Sequence, residues 1–408
     1  MVWVSHPTGN TFVRALLARM ESSGVPFEFH TTLGITRQNL LTRVGPGSIR
    51  GEMSRRSYDL PANRLKSRSF REIGRLLSTR LGVRSLTRHE SGIFSVDAIY
   101  QDLDRSVARK IGGAENVSTV YAYEDGALAT FQAARKRGIQ TVYELPIAYW
   151  ETLQKLLHEE AERLPEWEPT LIGTRDSRAK LERKTEEATL AEVVVTPSKF
   201  VHDSIPPAIR QRKKCIVAPF GSPLIPEMTP RTSRKGPLRV LFAGSMSQRK
   251  GLADLFAAAR LLKRSDVEII VMGSLLSPIE FYKRYFPQFI YEPTRPHAEV
   301  LKLMVSCDIM ALPSIVEGRA LVQQEAMSCG LPLLVTPNAG GEDLIEEGKT
   351  GFLVPIRSPE IIAEKLNWFA DHREMIPQMG EYARQKAATY TWERYADLIL
   401  KGLKEDGR

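Results

Sequence analysis

Cysteine is scarce: 408 residues hold only Cys215, Cys307 and Cys329. Three excludes a disulfide framework, and their spacings match no metal-ligand pattern, so a reduced, cytosolic setting is expected. Long hydrophobic runs are absent as well. No stretch reaches the ~18–20 uninterrupted apolar residues that cross a bilayer. The opening MVWVSHPTGN has no basic flank ahead of an apolar stretch, which argues against a secretory leader. No GK[ST] follows a glycine loop, and Gly45-Pro46-Gly47 follows no strand, so neither a Walker loop nor a dinucleotide fingerprint is present. Acid is short in one place. Lys and Arg number 57 against 48 Asp and Glu, a net +9, and Arg37–Glu90 alone supplies 13 − 4 = +9.

A basic excess confined to residues 37–90 points to an anionic partner there: a membrane surface, a phosphorylated lipid, an acidic glycan or a nucleic acid. No nucleic-acid motif accompanies it, so no nucleic acid is expected. Within it Phe70, Ile73, Leu76, Leu77 and Leu81 form one helical stripe flanked by Arg71, Arg75, Arg80 and Arg84. Such a stripe fits membrane contact, or equally a surface helix with its dry face in the core.

The remaining composition, 42% hydrophobic and 26% charged, is that of a folded protein with two or three domains. Short β-rich runs alternate with helical stripes. Strands are expected at Val2–Ser5, Phe27–His30, Val117–Ala122, Thr141–Glu144, Glu192–Thr196 and Cys215–Ala218. Pro223–Gly236, with three prolines and a basic cluster, reads as a linker. The alternation then restarts at Leu238–Ala243, Val267–Met272, Phe289–Glu292, Asp308–Leu312, Leu331–Thr336 and Gly351–Val354. Alternating β and α predicts two α/β domains with parallel sheets and a ligand at the carboxyl ends of the strands. The expected division is 1–225 and 226–390, with residues 391–408, a final helix, returning to the first domain.

Two segments carry chemistry. In LRVLFAGSMSQRKG, Leu238 to Gly251, a strand runs into small residues and then Arg249 and Lys250 before a helix. Gly244 and Ser245 let a phosphate approach backbone amides, Arg249 can fork onto its oxygens, and Lys250 adds a point charge. The alternative is a plain turn with solvated cations. In LPSIVEGRALVQQEAM, Glu317 and Glu325 stand eight residues apart around a helix start. Eight helical residues rise ~12 Å, so the two carboxylates can address separate parts of an elongated ligand, too far apart for an acid/base dyad. The amides of Gly318, Arg319 and Ala320 are candidate free donors. Alone, this segment also fits a surface helix.

Together, GSMSQRKG and LPSIVEGRALVQQEAMSCGLPLLVTPNAGGEDLIEEGKTGFLVP resemble the group 1 retaining glycosyltransferases, which have the GT-B architecture of two Rossmann-like domains facing across a cleft. The likeness is dense over Val240–Pro355 and thins to Ala218-Pro219-Phe220-Gly221, Thr196-Pro197-Ser198 and Tyr390-Thr391-Trp392. It implies transfer of a sugar from a nucleotide-diphosphate donor to a hydroxyl acceptor, a glycan or lipid-linked glycan. It also implies retained anomeric configuration, with no metal and no cofactor. Arg249 and Lys250 would hold the diphosphate, Glu317 the sugar hydroxyls, and Glu325 the ribose. Gly244, Ser245, Gly318, Arg319, Ala320 and Leu321 would line the donor site, and the base would lie near Ile290–Pro293.

Two departures matter. Arg319-Ala320 stands where the family often has Phe-Gly, which would set a cation beside the donor sugar and alter specificity or favour an acidic sugar. Tyr123 stands where the family often has a histidine. Gly9 and Asn10, in the remnant of an early glycine loop, and Tyr123 are the candidate acceptor residues. A cytoplasmic protein, peripheral on the inner membrane face, is expected. The alternatives are a hydrolysing sugar-nucleotide epimerase and a non-catalytic sugar-nucleotide binder or membrane-docked assembly partner. Asp102-Leu103-Asp104 reads as a solvated helix face rather than a metal site, His297 as a capping or surface residue, and Cys307 and Cys329 as core.

Overall fold

Short runs of β-branched and aliphatic residues become the strands of two large, wholly parallel sheets, beside a two-stranded one of Ile35–Thr36 and Ser57–Tyr58. We describe them from a computed structural model covering residues 1–36, 56–223, 225 and 235–404. The first part of the basic stretch, 37–55, and most of the linker at 223–236 lie outside the described residues.

The first sheet has seven strands. Across it run Leu65–Ser67, Phe27–Thr31, Val2–Ser5, Thr119–Tyr123, Gln140–Glu144, Val193–Thr196 and Lys214–Val217. The second has six: Ile290–Glu292, Val267–Met272, Leu238–Ala243, Ile309–Leu312, Leu333–Val335 and Gly351–Leu353. Leu238–Ala243 and Val267–Met272 end where Gly244 and Gly273 interrupt the apolar run. Their inner residues are buried on both faces, as a parallel sheet covered by helices requires. Each sheet winds outward in both directions from a central strand. The switch points lie between Val2–Ser5 and Thr119–Tyr123 in one, and between Leu238–Ala243 and Ile309–Leu312 in the other.

Two segments cross between the domains. After the helix Trp150–Arg163, Trp167 is buried in the second domain's core, its ring 4.9 Å from Phe281 and 5.0 Å from Tyr285. Glu160, fully buried, accepts from Arg163 at 2.7 Å and Gln248 at 2.8 Å and pairs with Arg357, while Arg163 also reaches Asp254 at 2.9 Å. In the other direction the last helix, Trp392–Lys404, lays Tyr395, Ala396, Ile399 and Leu400 against Val13, Leu16, Leu17 and Met20 of the helix Thr11–Ser22. Tyr395 Oη donates to the buried Glu144 carboxyl group at 3.1 Å.

The structure decides one open alternative and changes one expectation. The helix Phe70–Arg80 does not put its apolar stripe in the core: Phe70 is 75% and Leu77 56% exposed, while Glu72 and Ser78 face inward. Glu72 is tolerated there because Arg56 at 2.5 Å and Arg75 at 2.6 Å bind it. Asp104 is not solvated either. It is buried and accepts the amides of Ala129 and Thr130, both at 2.8 Å, at the start of the helix Leu128–Arg135. Asp102 beside it pairs with Arg68 at 3.0 Å. Cys307 and Cys329 are buried, as expected.

Candidate active site

At the switch point of the second sheet, the loop after Leu238–Ala243 meets the loop after Ile309–Leu312. The first folds into a tight turn, Gln248–Lys250, before the helix Leu252–Leu262. Gly244 has φ +149°, and a β-carbon on it would lie 2.7 Å from Lys250 Cδ. The absent side chain is what lets the lysine stem lie flat across the strand end.

The second loop brings Glu317 to the same point. Its Oε1 lies 2.5 Å from Lys250 Nζ and 2.8 Å from Arg249 Nη1. The three side chains are 11%, 12% and 22% exposed, so the cluster is largely buried but not sealed. Burial pushes the Glu317 carboxyl up, but Lys250 and Arg249 outweigh it and hold the group below its usual range. Two cations share one carboxylate, leaving one positive charge uncompensated.

The Glu317 loop is locked by backbone contacts. Glu317 N donates to Asn338 O at 3.1 Å, and Ser198 Oγ of the first domain donates to Gly318 O at 2.7 Å. A β-carbon on Gly318 would fall 1.8 Å from Pro146 O, so the first domain closes directly over this residue. Ala320 N, expected to be free, donates to Ala339 O at 3.2 Å. That leaves the amides of Gly318 and Arg319 without an acceptor among the described residues. Leu321, the first residue of the helix Leu321–Ser328, packs against the first domain's cluster around Phe12 and Phe220.

Arg319 corrects a sequence expectation. Its side chain is fully buried and turns back into the protein. It donates to Gln324 Oε1 at 2.9 Å, Gly340 O at 3.0 Å and Asp343 Oδ1 at 2.7 Å, and lies 5.0 Å over the Tyr390 ring. Its guanidinium is thus spent on internal partners, not on Glu317 or the cations beside it. Gln324 continues the chain to Phe220 O at 2.7 Å and Ser222 Oγ at 2.9 Å, which ties the helix to the segment joining the domains.

Glu325, farther along the helix, meets His297 Nε2 at 3.0 Å. The histidine is the first residue of the helix His297–Val305, so the surface residue expected there has a partner at the site. Of Ile290–Pro293, the first three residues form the edge strand Ile290–Glu292 beyond Val267–Met272.

Opposite, the first sheet's switch point gathers Gly9, Asn10 and Tyr123 around a residue that sequence reasoning missed. His6 Nδ1 accepts the amides of Gly9 at 3.0 Å and Thr8 at 3.2 Å, fixing the loop that ends at Asn10. Two amides on Nδ1 put the proton on Nε2. Burial pushes the imidazole down to about 3, so it stays neutral. Tyr123 packs 4.4 Å from it, and burial drives the phenol well above its usual range. Asn10 Oδ1 accepts from Thr8 Oγ1 at 3.0 Å. A signal for His6 did exist: it directly follows the strand Val2–Ser5. Glu124 and Asp125 bind Lys184 at 3.1 Å and Arg183 at 2.9 Å, so both acids are held by the helix Arg178–Leu190.

Known proteins resemble this chain over part of its sequence and across its whole fold. Residues 225–386 match the family model described as "Glycosyl transferases group 1". A D-inositol 3-phosphate glycosyltransferase of Paenarthrobacter aurescens is 28% identical over 186 residues, 43% of this chain and 46% of that protein. The putative colanic acid biosynthesis glycosyltransferase WcaL of Salmonella typhimurium is 31% identical over 169 residues, 37% of this chain and 41% of that one. The chain thus spans less than half the length of these relatives. Among solved structures, sucrose-phosphate synthase of Thermosynechococcus elongatus superposes with a TM-score of 0.68 at 13% identity, over 99% of this chain and 98% of that one. HepE of Anabaena, solved in complex with UDP, gives 0.60 at 15% identity over 99% of both chains.

Proposed function

We propose that residues 225–386, which match the group 1 glycosyltransferase model, form the donor domain of a GT-B enzyme, and that the protein transfers a sugar from a nucleotide-diphosphate donor to a hydroxyl acceptor. The reaction retains the anomeric configuration and uses neither metal nor cofactor. The acceptor is a glycan or lipid-linked glycan, and the enzyme works in the cytoplasm beside the inner membrane face. One observation carries the reading: two cations from one strand end converge on one buried carboxylate from the neighbouring strand end, at the switch point facing the first domain.

In the free enzyme Glu317 neutralises part of the charge on Arg249 and Lys250. An entering diphosphate takes over both cations, and Glu317 becomes an acceptor for the donor sugar's hydroxyls. As the glycosidic bond breaks, charge accumulates on the departing diphosphate, where Lys250 and Arg249 already stand. Preorganised charge of this kind lowers the barrier because nothing has to reorient. The Gly318 and Arg319 amides are spare donors for the same ligand, and Glu325 is the ribose partner, with His297 orienting it. Gly9, Asn10 and Tyr123, arranged by His6, receive the acceptor.

Tyr123 favours one second reading, a sugar-nucleotide binder without transfer, since a deeply buried neutral phenol is a poor base. A single experiment separates them. Nucleotide sugars are screened by thermal shift, because a ligand that binds only the folded state raises its melting point. Since the neighbour HepE was solved with UDP, UDP-sugars come first. The stabilising donor is then assayed for nucleotide release with and without glycan acceptors. Acceptor-dependent release supports transfer, tight binding with no release the binder, and acceptor-independent release with sugar inversion the epimerase.

A further inference from the structure

The helix Phe70–Arg80 is inside out, and its outer face has no cover among the described residues. Phe70, Ile73, Leu77 and Leu81 fall within about 80° of arc at about 100° per residue, and all four are exposed, Phe70 and Leu81 by 75%. Val83 and Ile93, at 40% and 56%, extend the patch beyond the helix end. The orientation is built rather than incidental. Gly74 brings the helix against Phe94, where a β-carbon would lie 2.5 Å from the ring, and Phe70 meets the same ring edge-on at 6.2 Å. Arg71 Nη1 donates to Ile93 O, and Glu72 is sealed beneath by Arg56 and Arg75. Rotating the helix to bury its leucines would break all of these contacts and expose the Glu72 pairs.

Charge identifies what the face meets. Between Leu60 and His89 the sequence holds eight Lys or Arg and one acid, Glu72, which is buried. Arg80, Arg84 and Arg88 are exposed at the border of the patch and make no ion pair among the described residues. An apolar face with a cationic rim, on a helix whose one acid is turned inward, matches the boundary between lipid acyl chains and anionic headgroups. A protein partner would have to supply an apolar surface and a ring of acids together.

We propose that the outer face of the helix Phe70–Arg80, with Val83 and Ile93, docks on a bilayer containing anionic lipid, its apolar side chains entering the headgroup layer and Arg80, Arg84 and Arg88 pairing with lipid phosphates. Neither Lys250 nor Glu317 takes part, so the proposal and the sugar-transfer reading stand or fall separately.

The test is sedimentation of the full chain with phosphatidylcholine vesicles, with and without phosphatidylglycerol. Binding is expected to the mixed vesicles and to fall steeply as salt rises, because the rim acts over about a Debye length. Two double variants, L77S/L81S and R80E/R84E, change exposed side chains only. Each is expected to weaken vesicle binding at least about tenfold while leaving the melting point and donor-induced thermal shift unchanged. Equal binding to pure phosphatidylcholine, no binding to either vesicle, or unaltered binding by both folded variants overturns the proposal. So does a dimer in sedimentation velocity that L77S/L81S dissolves, which would assign the face to a second copy of the chain.

Discussion

Replacing Glu317 by glutamine removes one negative charge from a point where two cations meet it, at almost constant volume. In the free protein, two charge-assisted contacts, at 2.5 and 2.8 Å, become contacts to a neutral amide. A hydrogen bond to a charged group contributes about 1.5–3 kcal/mol and a neutral one about 0.5–1.5, so the loss is about 2–3 kcal/mol. For a domain of this size that lowers the melting point by roughly 4–12 °C. The nucleoside diphosphate responds the other way. A phosphate resting on the same two cations stands about 5–6 Å from the carboxylate, where like unit charges repel by about 3 kcal/mol at an effective dielectric of about 20. Removing that repulsion is expected to tighten diphosphate binding roughly 10- to 100-fold. Turnover falls at least about 100-fold, because the contact to the reacting sugar is weakened where charge develops. Isothermal titration with the diphosphate product, beside steady-state assays of the donor, reads both effects. A folded Glu317→Gln protein that binds the diphosphate more weakly than the wild type would refute the idea that carboxylate and phosphate share these cations.

The remaining predictions follow from contacts elsewhere. Arg319→Met leaves Asp343, Gln324 and the Gly340 carbonyl without their donor, so stability is expected to fall by about 3 kcal/mol; the turnover ratio between neutral and acidic donor sugars should not change, and a shift in that ratio would restore a role at the sugar. Gly318→Ala forces its loop and Pro146 apart, so turnover is expected to drop about 100-fold or more from misplaced groups, with a smaller effect on donor binding, measured by the same titration. Glu144 holds its proton in the folded state up to about pH 8, whereas an unburied carboxyl gives it up near 4.5. The folded protein therefore binds more protons between those values, and stability falls as pH rises from about 4.5 to about 8, then levels. Glu144→Gln keeps an acceptor for Tyr395 and is expected to flatten that fall in urea melts taken across the range.

The strands were legible where the chain repeats a strong pattern. Leu238–Ala243 and Val267–Met272 are apolar runs stopped by glycine, and their bounds in the structure match the sequence reading. Leu65–Ser67 was not legible. It is a three-residue edge strand with Lys66 and Ser67 only partly covered, and it carries no alternation to detect. The stripe on Phe70–Arg80 was visible, but periodicity gives an angle around the helix axis and not which side faces the core. That choice was made by Glu72 pairing with Arg56, sixteen residues earlier, and by Gly74 meeting Phe94. At the site, Arg249, Lys250 and Glu317 could be named from their places in one recurring pattern. The direction of the Arg319 side chain could not, because its backbone faces the cleft while its guanidinium answers to Asp343, Gly340 and Gln324. His6 escaped because its work is local: it pins two amides rather than forming part of any spaced motif.

The chain laces its halves together in both directions, and this has a consequence for anyone who would cut it. Severed near residue 225, the amino-terminal fragment would carry Trp167 with no Phe256, Phe281 or Tyr285 to receive it, and would bare the side of Leu16, Leu17 and Met20 that Ile399 and Leu400 now cover. The other fragment would display an empty aromatic socket and an amphipathic tail with nowhere to lie. Each piece would thus expose sticky surface that the intact molecule hides, and co-expressed fragments should find one another in the cell before either survives by itself.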